Sequence, residues 1–485
     1  MAGISAIGAY IPRLRLSRKL MTEANAWFNP GLKPYGKGER AVANWDEDVV
    51  TMAVEVARGV LGKTAGTGPG AIYLASTTAP FAVRQNAGIV AEALGVAGAL
   101  RTMDVGASQR AGTTALLAAF DTALARKQRV LVLAGEKRHS PAGSVQEMTS
   151  GDAAVAVLVE EGDGIARLVA QRSTSVDFVD HYRAQGREFD YGWEERWIRE
   201  EGYLKLVPPV IAAVLADAGL AADAIHHFCM PCTLSRVPQA VAKKAGIADD
   251  RVRGNLDGVC GDTGAAHALL MLAQVLETAK PGERILVIGF GQGVDALLFE
   301  VTAGIDKARP DTVASSLAAR KELASYSRFL AFNDLVKLER GLRAEADKQT
   351  PLTTLYRNRD MILGLVGGRC ERCGTIQFPK AAICVNPACG ASGSQVDQPF
   401  ADFHGRIQTW SADQLTYCPD PPAHYGMVQF DEGGRMTVDF TDVDVGAVDV
   451  GMPMRMVFRI KEVDSQRGFV RYFWKAAPVS AAIAA

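Results

Sequence analysis

The sequence predicts a layered α/β domain that gives way to a helical connector, a metal-binding knuckle and a small β-barrel. Three observations carry that prediction. Through about residue 303, apolar strand segments alternate with Ala- and Leu-rich helical segments, as they do where strands are buried on both faces between helix layers. From Ile305 the strand signals stop and charged helical segments replace them. Beyond that, four of the eight cysteines crowd between positions 370 and 389, and short strand segments follow.

Each element has its own warrant. Residues 71–77 (AIYLAST) and 129–136 (RVLVLAGE) are too apolar on both faces for a solvated sheet edge and suit buried strands. Between them, the Ala and Leu spacing of residues 109–127 suits a buried helix, and residues 153–160 (AAVAVLVE) form the next strand. The order recurs with helices over 203–219 and 263–278 and strands over 284–289 and 295–301, which suggests two related halves. Residues 305–361 contain charged segments such as 333–347 (NDLVKLERGLRAEAD), read as helical, and the whole stretch is too long for an ordinary loop. Short strands then run over 404–410, 426–430, 435–440, 454–463 and 468–474, with the turn DEGG at 431–434 marking a hairpin. Several such strands closing on themselves make a small barrel.

Composition narrows the function. The chain has 485 residues, nearly half of them hydrophobic and 22% charged, which excludes disorder and fibrous repeats. That length calls for two or three domains. Its 53 Lys+Arg against 54 Asp+Glu leave a formal net charge of −1, against a general nucleic-acid or anionic-membrane binder, because both need basic surface. No apolar run approaches the roughly 18 residues of a membrane span. The start, MAGISAIGAYIPRLRLS, lacks the long apolar core of a signal peptide. Eight cysteines are too few for a disulfide scaffold, so a cytoplasmic, reducing setting is expected.

Cys370-Glu-Arg-Cys373 and Cys384-Val-Asn-Pro-Ala-Cys389 supply two thiolate pairs, each able to sit on a tight turn. Four sulfurs can then converge on one tetrahedral zinc, and four protein ligands leave no open position for a reacting water, so the zinc is structural. From Cys370 onward there are 10 Lys+Arg against 13 Asp+Glu. An electronegative barrel is a poor phosphate partner, which argues against a nucleic-acid module. Residues 363–478, including the Cys370-x-x-Cys373-Gly374 knuckle, resemble the zinc-ribbon plus OB-fold proteins that accompany thiolases and related acyl-CoA enzymes. The resemblance implies a module that contributes to an acyl-CoA channel, here fused to its partner. The expected division is a thiolase-like domain over 1–303, the connector over 304–362, the zinc ribbon over 363–396 and the OB fold over 397–480.

Segments of the first 300 residues resemble hydroxymethylglutaryl-CoA synthase and its ketoacyl-synthase relatives of the thiolase fold. They are Ile7-Gly-Ala-Tyr-Ile-Pro12; Gly38-Glu-Arg-Ala-Val42 with Trp45-Asp-Glu-Asp48 and Thr51-Met-Ala53; Ser150-Gly-Asp-Ala-Ala154; and Gly289-Phe-Gly-Gln-Gly293. The last sits between two strands rather than opening a helix, so it does not suit a dinucleotide; its backbone N–H groups suit an oxyanion. The resemblance implies a layered αβαβα fold, a CoA thioester substrate and a homodimer, with a second thiolase-fold subunit as a further partner.

The family's chemistry uses a cysteine nucleophile, a histidine, an asparagine or second histidine, and a glutamate acid/base. Laid without gaps on Asp104-Val-Gly-Ala-Ser-Gln-Arg-Ala-Gly-Thr113, the cysteine motif puts Gln109 in the nucleophile's place. A slip of one residue puts Ser108 there but spoils the Ala111-Gly112-Thr113 match. The glutamate position falls on Thr77 and the histidine position on Pro231, whereas Asn255 matches its counterpart. Gln109 and Asn255 are therefore the candidate catalytic residues. A glutamine in the nucleophile's place also occurs in loading ketosynthases, which decarboxylate malonyl thioesters. His226, His227, Cys229 and Cys232 at the histidine motif, and Cys260, Asp262 and His267 after Asn255, are the candidates for a rebuilt site, set against the reading that Cys229, Cys232 and Cys260 are small buried hydrophobes and His267 faces a helix neighbour. Two functions follow: an enzyme that makes or breaks a C–C bond, or decarboxylates, at a CoA thioester without acylating itself; or a catalytically silent scaffold that channels acyl-CoA for a thiolase-fold partner.

Overall fold

Strands without a polar face need cover on both sides, and the central sheet of the first unit has it. The computed structural model describes residues 1–62 and 68–479. They separate into one unit of residues 1–44, 48–88 and 98–336, and a second of residues 45–47, 89–97 and 337 onward.

The first unit is built on nine strands: β1 (Ala2–Tyr10), β2 (Ala71–Ala75), β3 (Arg101–Val105), β4 (Val130–Glu136), β5 (Ala153–Glu161), β6 (Ala166–Ser175), β7 (His227–Cys229), β8 (Arg284–Phe290) and β9 (Gly293–Val301). They lie in the order β7-β8-β9-β6-β1-β5-β4-β2-β3. The two halves suggested by the sequence are visible in the pairing. In the first, β2 runs parallel to β4, β4 antiparallel to β5, and β5 antiparallel to β1. In the second, β7 runs parallel to β8, β8 antiparallel to β9, and β9 antiparallel to β6. Even the outer partner repeats: β2 pairs in parallel with β3, and Phe228 of β7 bridges in parallel to Val252. The halves join where Gly3 and Ile4 pair with Arg167 and Ala166.

Four helices supply most of the cover: α1 (Val49–Gly62), α2 (Ala111–Arg126), α3 (Leu204–Ala218) and α4 (His267–Leu276). Strand β8 shows the layering residue by residue. Ile285 and Val287 join a core with Ala115, Ala119 and Phe120 of α2 and Leu269 to Leu272 of α4, whereas Leu286 and Ile288 join a separate core with Val207, Ile211 and Val214 of α3. Successive side chains leave opposite faces of a strand, so a run with no polar residue is the pattern that helices on both sides demand. Gly112 lets α2 close on the 264–266 turn, where a Cβ would lie 2.1 Å from the Ala265 carbonyl oxygen.

In the second unit, Val366–Cys370 pairs with Ile376–Gln377 and Gln395–Pro399 in a three-stranded ribbon. The barrel strands are β10 (His404–Asp413), β11 (Ala423–Phe430), β12 (Arg435–Asp439), β13 (Pro453–Asp464) and β14 (Phe469–Pro478), in the order β12-β11-β10-β13-β14. Closure comes from a parallel bridge between Phe440 and Ala476, with the Thr441 N–H donating to the Ala476 carbonyl at 2.9 Å. Asp46 of the Trp45-Asp-Glu-Asp48 motif is fully buried in this unit, accepting from Lys475 Nζ at 2.8 Å and the Thr441 hydroxyl at 2.9 Å. Burial alone would raise its carboxyl, but Lys475 and Arg459 hold it below the ordinary range.

One expected helix is absent. Residues 333–347 form a single 3₁₀ turn, Leu342–Ala344, rather than an α-helix. The stretch is charged and nearly all exposed, so no apolar face is buried to offset helix ordering, and Gly341 takes a positive φ of 70° in its middle. The connector's helices are short ones flanking it: Thr312–Ala318, Tyr326–Phe332, Leu352–Arg357 and Arg359–Ile362.

Candidate active site

Gln109 precedes α2, where the helix's unpaired N–H groups and dipole favour negative charge. This end of the helix is held firmly. Arg110 Nη1 donates to Asp295 Oδ1 at 2.6 Å, and Asp295, fully buried, also accepts from the hydroxyls of Thr113, Thr114 and Ser173. The Gly289–Gly293 turn packs against the same point: the Gly291 carbonyl accepts from Ser108 Oγ and Arg110 Nε, each at 2.9 Å. A Cβ on Gly291 would lie 2.7 Å from Ser108 Oγ and 3.1 Å from the Gln109 nitrogen, so only glycine allows this approach.

The Gln109 side chain is oriented by two partners. Its Oε1 accepts from Arg138 Nη1 at 2.9 Å, and its Nε2 lies 3.1 Å from His181 Nε2. With the carbonyl turned to arginine, the amide N–H donates to a ring lone pair, and the remaining ring proton sits on Nδ1, 3.0 Å from Asp180 Oδ2. Burial opposes charge on His181, but the Asp180 carboxylate outweighs it, so the ring titrates above its ordinary value. Arg138 is surrounded by acids. Asp190 lies 3.6 Å away, and although burial opposes its charge, Asp262, Glu136 and Asp190 keep its pKa raised. The Ser150-Gly-Asp-Ala-Ala154 motif serves this arginine: Asp152 Oδ1 accepts the Arg138 N–H at 2.8 Å. Gly151 is required there because a Cβ would lie 1.8 Å from the Cys260 carbonyl oxygen.

These groups face a cavity of about 360 Å³. Its lining includes the polar Gln109, Arg138, Asp180, His181, Tyr203 and Asp262 and the apolar Trp193, Ile198, Leu234 and Phe290. Burial works against the charge of Asp262, yet His267, Arg138 and the Gly264 N–H hold its pKa below the ordinary range. Gly264 has a positive φ of 54°, and a Cβ there would meet Gln109 Oε1 and Arg138 Nη1 at 2.5 Å. An oriented amide at a helix N-terminus and a carboxylate-backed imidazole can polarise a carbonyl and move a proton.

The other sequence candidates are placed as follows. Asn255 Nδ2 donates to the Cys232 carbonyl at 2.7 Å, and its Oδ1 accepts the Asp257 N–H at 3.2 Å; it is not among the cavity's lining residues. Pro231 lines the cavity. Thr77 donates through its N–H and hydroxyl to the fully buried Glu136 at 2.8 and 2.9 Å, so a carboxylate from β4 stands beside the residue on which the motif alignment puts the family's glutamate. Burial raises the Glu136 carboxyl despite Arg138 and the threonines. Burial also pushes Cys229, Cys232 and Cys260 up to about 12, as expected of inert core thiols. His267 is locked between the Thr263 N–H at 3.0 Å and the Asn255 carbonyl at 2.6 Å, and His227 pairs with Glu283 at 2.8 Å; neither lines the cavity.

His181 is the ring that sequence reasoning missed. It lies between β6 and α3, 72 positions from Gln109 and away from the expected histidine motif. The adjacent pair Asp180-His181 was the available signal.

The zinc knuckle assembles as its spacing requires. The sulfurs of Cys370, Cys373, Cys384 and Cys389 all lie within 4.8 Å of one another. Cys370–Cys389 and Cys373–Cys384 are 3.9 and 3.6 Å apart, close to the roughly 3.8 Å edge of a tetrahedron with 2.3 Å Zn–S arms. The donor set and spacing fit a structural zinc.

Three segments of the chain match known families. Residues 363–394 match the family described as "ChsH2, rubredoxin-like zinc ribbon domain", and residues 399–459 match "ChsH2, C-terminal OB-fold domain". Residues 215–300 match the C-terminal part of 3-oxoacyl-[acyl-carrier-protein] synthase III. PksG, an HMG-CoA synthase from Bacillus subtilis, aligns with a TM-score of 0.60 at 17% identity over 72% of this chain and 95% of that one. MvaS in complex with 3-hydroxy-3-methylglutaryl coenzyme A aligns with a TM-score of 0.57 at 18% identity, over 68% of this chain and 91% of that one. Hydroxymethylglutaryl-CoA synthase of Aeropyrum pernix is 30% identical over 316 residues, covering 64% of this chain and 87% of the relative. With that relative aligned over nearly its whole length and the layered sheet in place, the chain belongs to the hydroxymethylglutaryl-CoA synthase family, carrying a zinc ribbon and an OB fold in addition.

Proposed function

We propose that this chain is an acyl-CoA enzyme that makes or breaks a carbon–carbon bond, or decarboxylates, at a CoA thioester without acylating itself. One observation supports the reading: at the N-terminus of α2 an amide is held between Arg138 and His181, at the position where the ungapped motif alignment puts the family's thiol. Glutamine cannot form a thioester, but its second N–H, with the helix N-terminus, can stabilise a thioester oxygen as enolate charge develops. His181, backed by Asp180, is proposed as the acid/base, with Gln109 positioning both carbonyl and ring. Asn255 is assigned a supporting role through the 231–233 wall that it ties down. The zinc is structural and takes no part in the chemistry.

A zinc-binding set of four cysteines and four further cysteines outside disulfides suit a reducing, cytoplasmic setting, and no helix among the described residues is long and apolar enough to cross a membrane. A homodimer is expected, and light scattering at micromolar concentration checks it. The main experiment is a mass-spectrometric screen of purified protein against a panel of CoA thioesters. Conversion of at least one to free acid, cleaved acyl-CoA or condensed product supports the enzyme. Binding without turnover supports instead a subunit that channels acyl-CoA for a thiolase-fold partner.

A further inference from the structure

We propose that Tyr203 is a further substrate-binding residue of the cavity, its phenol donating a hydrogen bond to a second oxygen of the acyl group, beyond the thioester. The inference rests on the reading of the chain as a CoA-thioester enzyme and adds to it a residue and the acyl feature that this residue recognises.

It follows from how the backbone delivers this ring. Tyr203 ends a π-helical turn, Ile198–Tyr203, that runs directly into α3. Bonds in such a turn close between residues five apart, which therefore stack on one face. In an α-helix the same two positions would point roughly 140° apart. The widened turn is thus what brings Ile198 and Tyr203 together on the cavity lining, and turns of this kind are rare and recur at functional sites. Gly202 inside it allows the packing, since a Cβ there would lie 2.8 Å from Phe178 Cε1 and 3.1 Å from Phe290 Cζ. The Tyr203 ring stacks on Phe290, with centroids 4.1 Å apart and planes inclined by 26°.

The hydroxyl at the end of this fixed ring has a weak partner. It meets the thiol of Cys232, whose own S–H donates to the Leu234 carbonyl at 3.7 Å. Sulfur is a poor acceptor, and a substrate oxygen entering the cavity accepts from the phenol more strongly. Burial, with Cys232, Asp180 and Asp262 around it, holds the phenol well above its ordinary value, so it keeps its proton and acts as a donor. Making or breaking a bond between the α and β carbons moves charge between the thioester oxygen and one on the β carbon. Gln109 and the α2 N-terminus serve the first, and Tyr203, at the 231–233 wall, serves the second.

The test is a matched pair, acetoacetyl-CoA and butyryl-CoA, which share a chain length and differ by the oxygen on the β carbon. Both are titrated by calorimetry into the full-length protein, as wild type and as Tyr203→Phe. Phenylalanine keeps the stack on Phe290 and loses the hydroxyl alone. The wild type is expected to bind acetoacetyl-CoA the more tightly. Tyr203→Phe is expected to weaken acetoacetyl-CoA about tenfold and butyryl-CoA by less than about twofold. Cys232→Ser reads the same hydroxyl with Tyr203 untouched: a serine oxygen competes with the ligand for the phenol better than sulfur does, so the preference should narrow. Equal affinity of the wild type for the two compounds, equal weakening of both by Tyr203→Phe, or an unchanged preference in either variant overturns the role of Tyr203 and leaves the CoA-thioester reading intact. Binding of neither compound to the wild type overturns that reading and the assignment with it.

Discussion

Gln109 and His181 meet end to end, with 3.1 Å between their Nε2 atoms, although 72 positions separate them in the chain. Arg138 on the other side of the amide fixes which end of it faces the ring. The pair is therefore a directed arrangement: arginine to amide oxygen, amide nitrogen to imidazole, imidazole to the Asp180 carboxylate. This order defines the tautomer of the ring: Nδ1 carries the proton toward Asp180, and the Nε2 lone pair accepts the Gln109 amide N–H at the cavity wall, to be released when the amide turns to substrate.

Removal of that ring gives the first prediction. His181→Ala is expected to lower kcat/KM on the native CoA thioester by ~10²–10⁴, the usual contribution of a positioned acid or base. The unfolding midpoint should shift little, because His181 is not part of either apolar core. Steady-state kinetics beside thermal unfolding check both halves. Unchanged kinetics would remove His181 from the chemistry.

The second prediction concerns pH. Asp180 lifts His181 above its ordinary value of 6.5, and a base must be unprotonated, so kcat/KM should rise with pH through that lifted value. Asp180→Asn keeps the burial and removes the offsetting charge, so the rising limb should move to lower pH. Stability has the opposite sign. A histidine whose folded pKa is raised contributes fully below its unfolded value and loses that contribution as pH rises through the folded one. Denaturant midpoints measured from pH 5.5 upward should therefore show a decline in the wild type that Asp180→Asn reduces.

How much of this was legible in the sequence depends on the range of the interaction that decides it. Strand β8 declares itself because Ile285 to Ile288 are all apolar, a local consequence of burial on both faces. The four thiols are legible for the same reason, as two close pairs on tight turns. Residues 333–347 misled because helix propensity is a weak prior without a face to bury. His181 was hidden because nothing local distinguishes a polar pair at the start of the two-residue strand His181–Tyr182 until folding brings Gln109 to it. Motif alignment looked instead at Pro231, which does line the cavity but has no proton to give.

Metal removal supplies the third prediction. Freshly purified protein should contain about one zinc per chain, and a strong chelator should make residues 363–396 the first to be cleaved by protease. Binding energy of a structural zinc is largely folding energy for the segment that holds it. Cys370→Ser should act like the chelator on the ribbon and leave intact the two cores that contain β8. A zinc-free protein that resists protease across the ribbon would contradict this.

The last prediction returns to Gln109. Gln109→Ala removes one preorganised donor beside a helix N-terminus and frees Arg138 and His181 from their common partner. Loss of one such donor typically costs ~10²–10³ in rate, or about 3–4 kcal/mol of transition-state stabilisation. Since no core residue is touched, turnover should fall far more than stability. Gln109→Cys asks a different question of the same position. The α2 N-terminus and Arg138 would both favour a thiolate there, and His181 Nε2, which now faces the amide, would face the sulfur. A cysteine in that setting should take an acyl group from a CoA thioester, seen as a mass increase on the intact protein equal to the acyl group. An adduct with Gln109→Cys combined with lost turnover in Gln109→Ala would establish that the wild-type amide replaces a nucleophile in a site still shaped for thioesters. Full activity in Gln109→Ala would place the chemistry elsewhere in the cavity, on His181 and Asp180 without the amide between them and arginine.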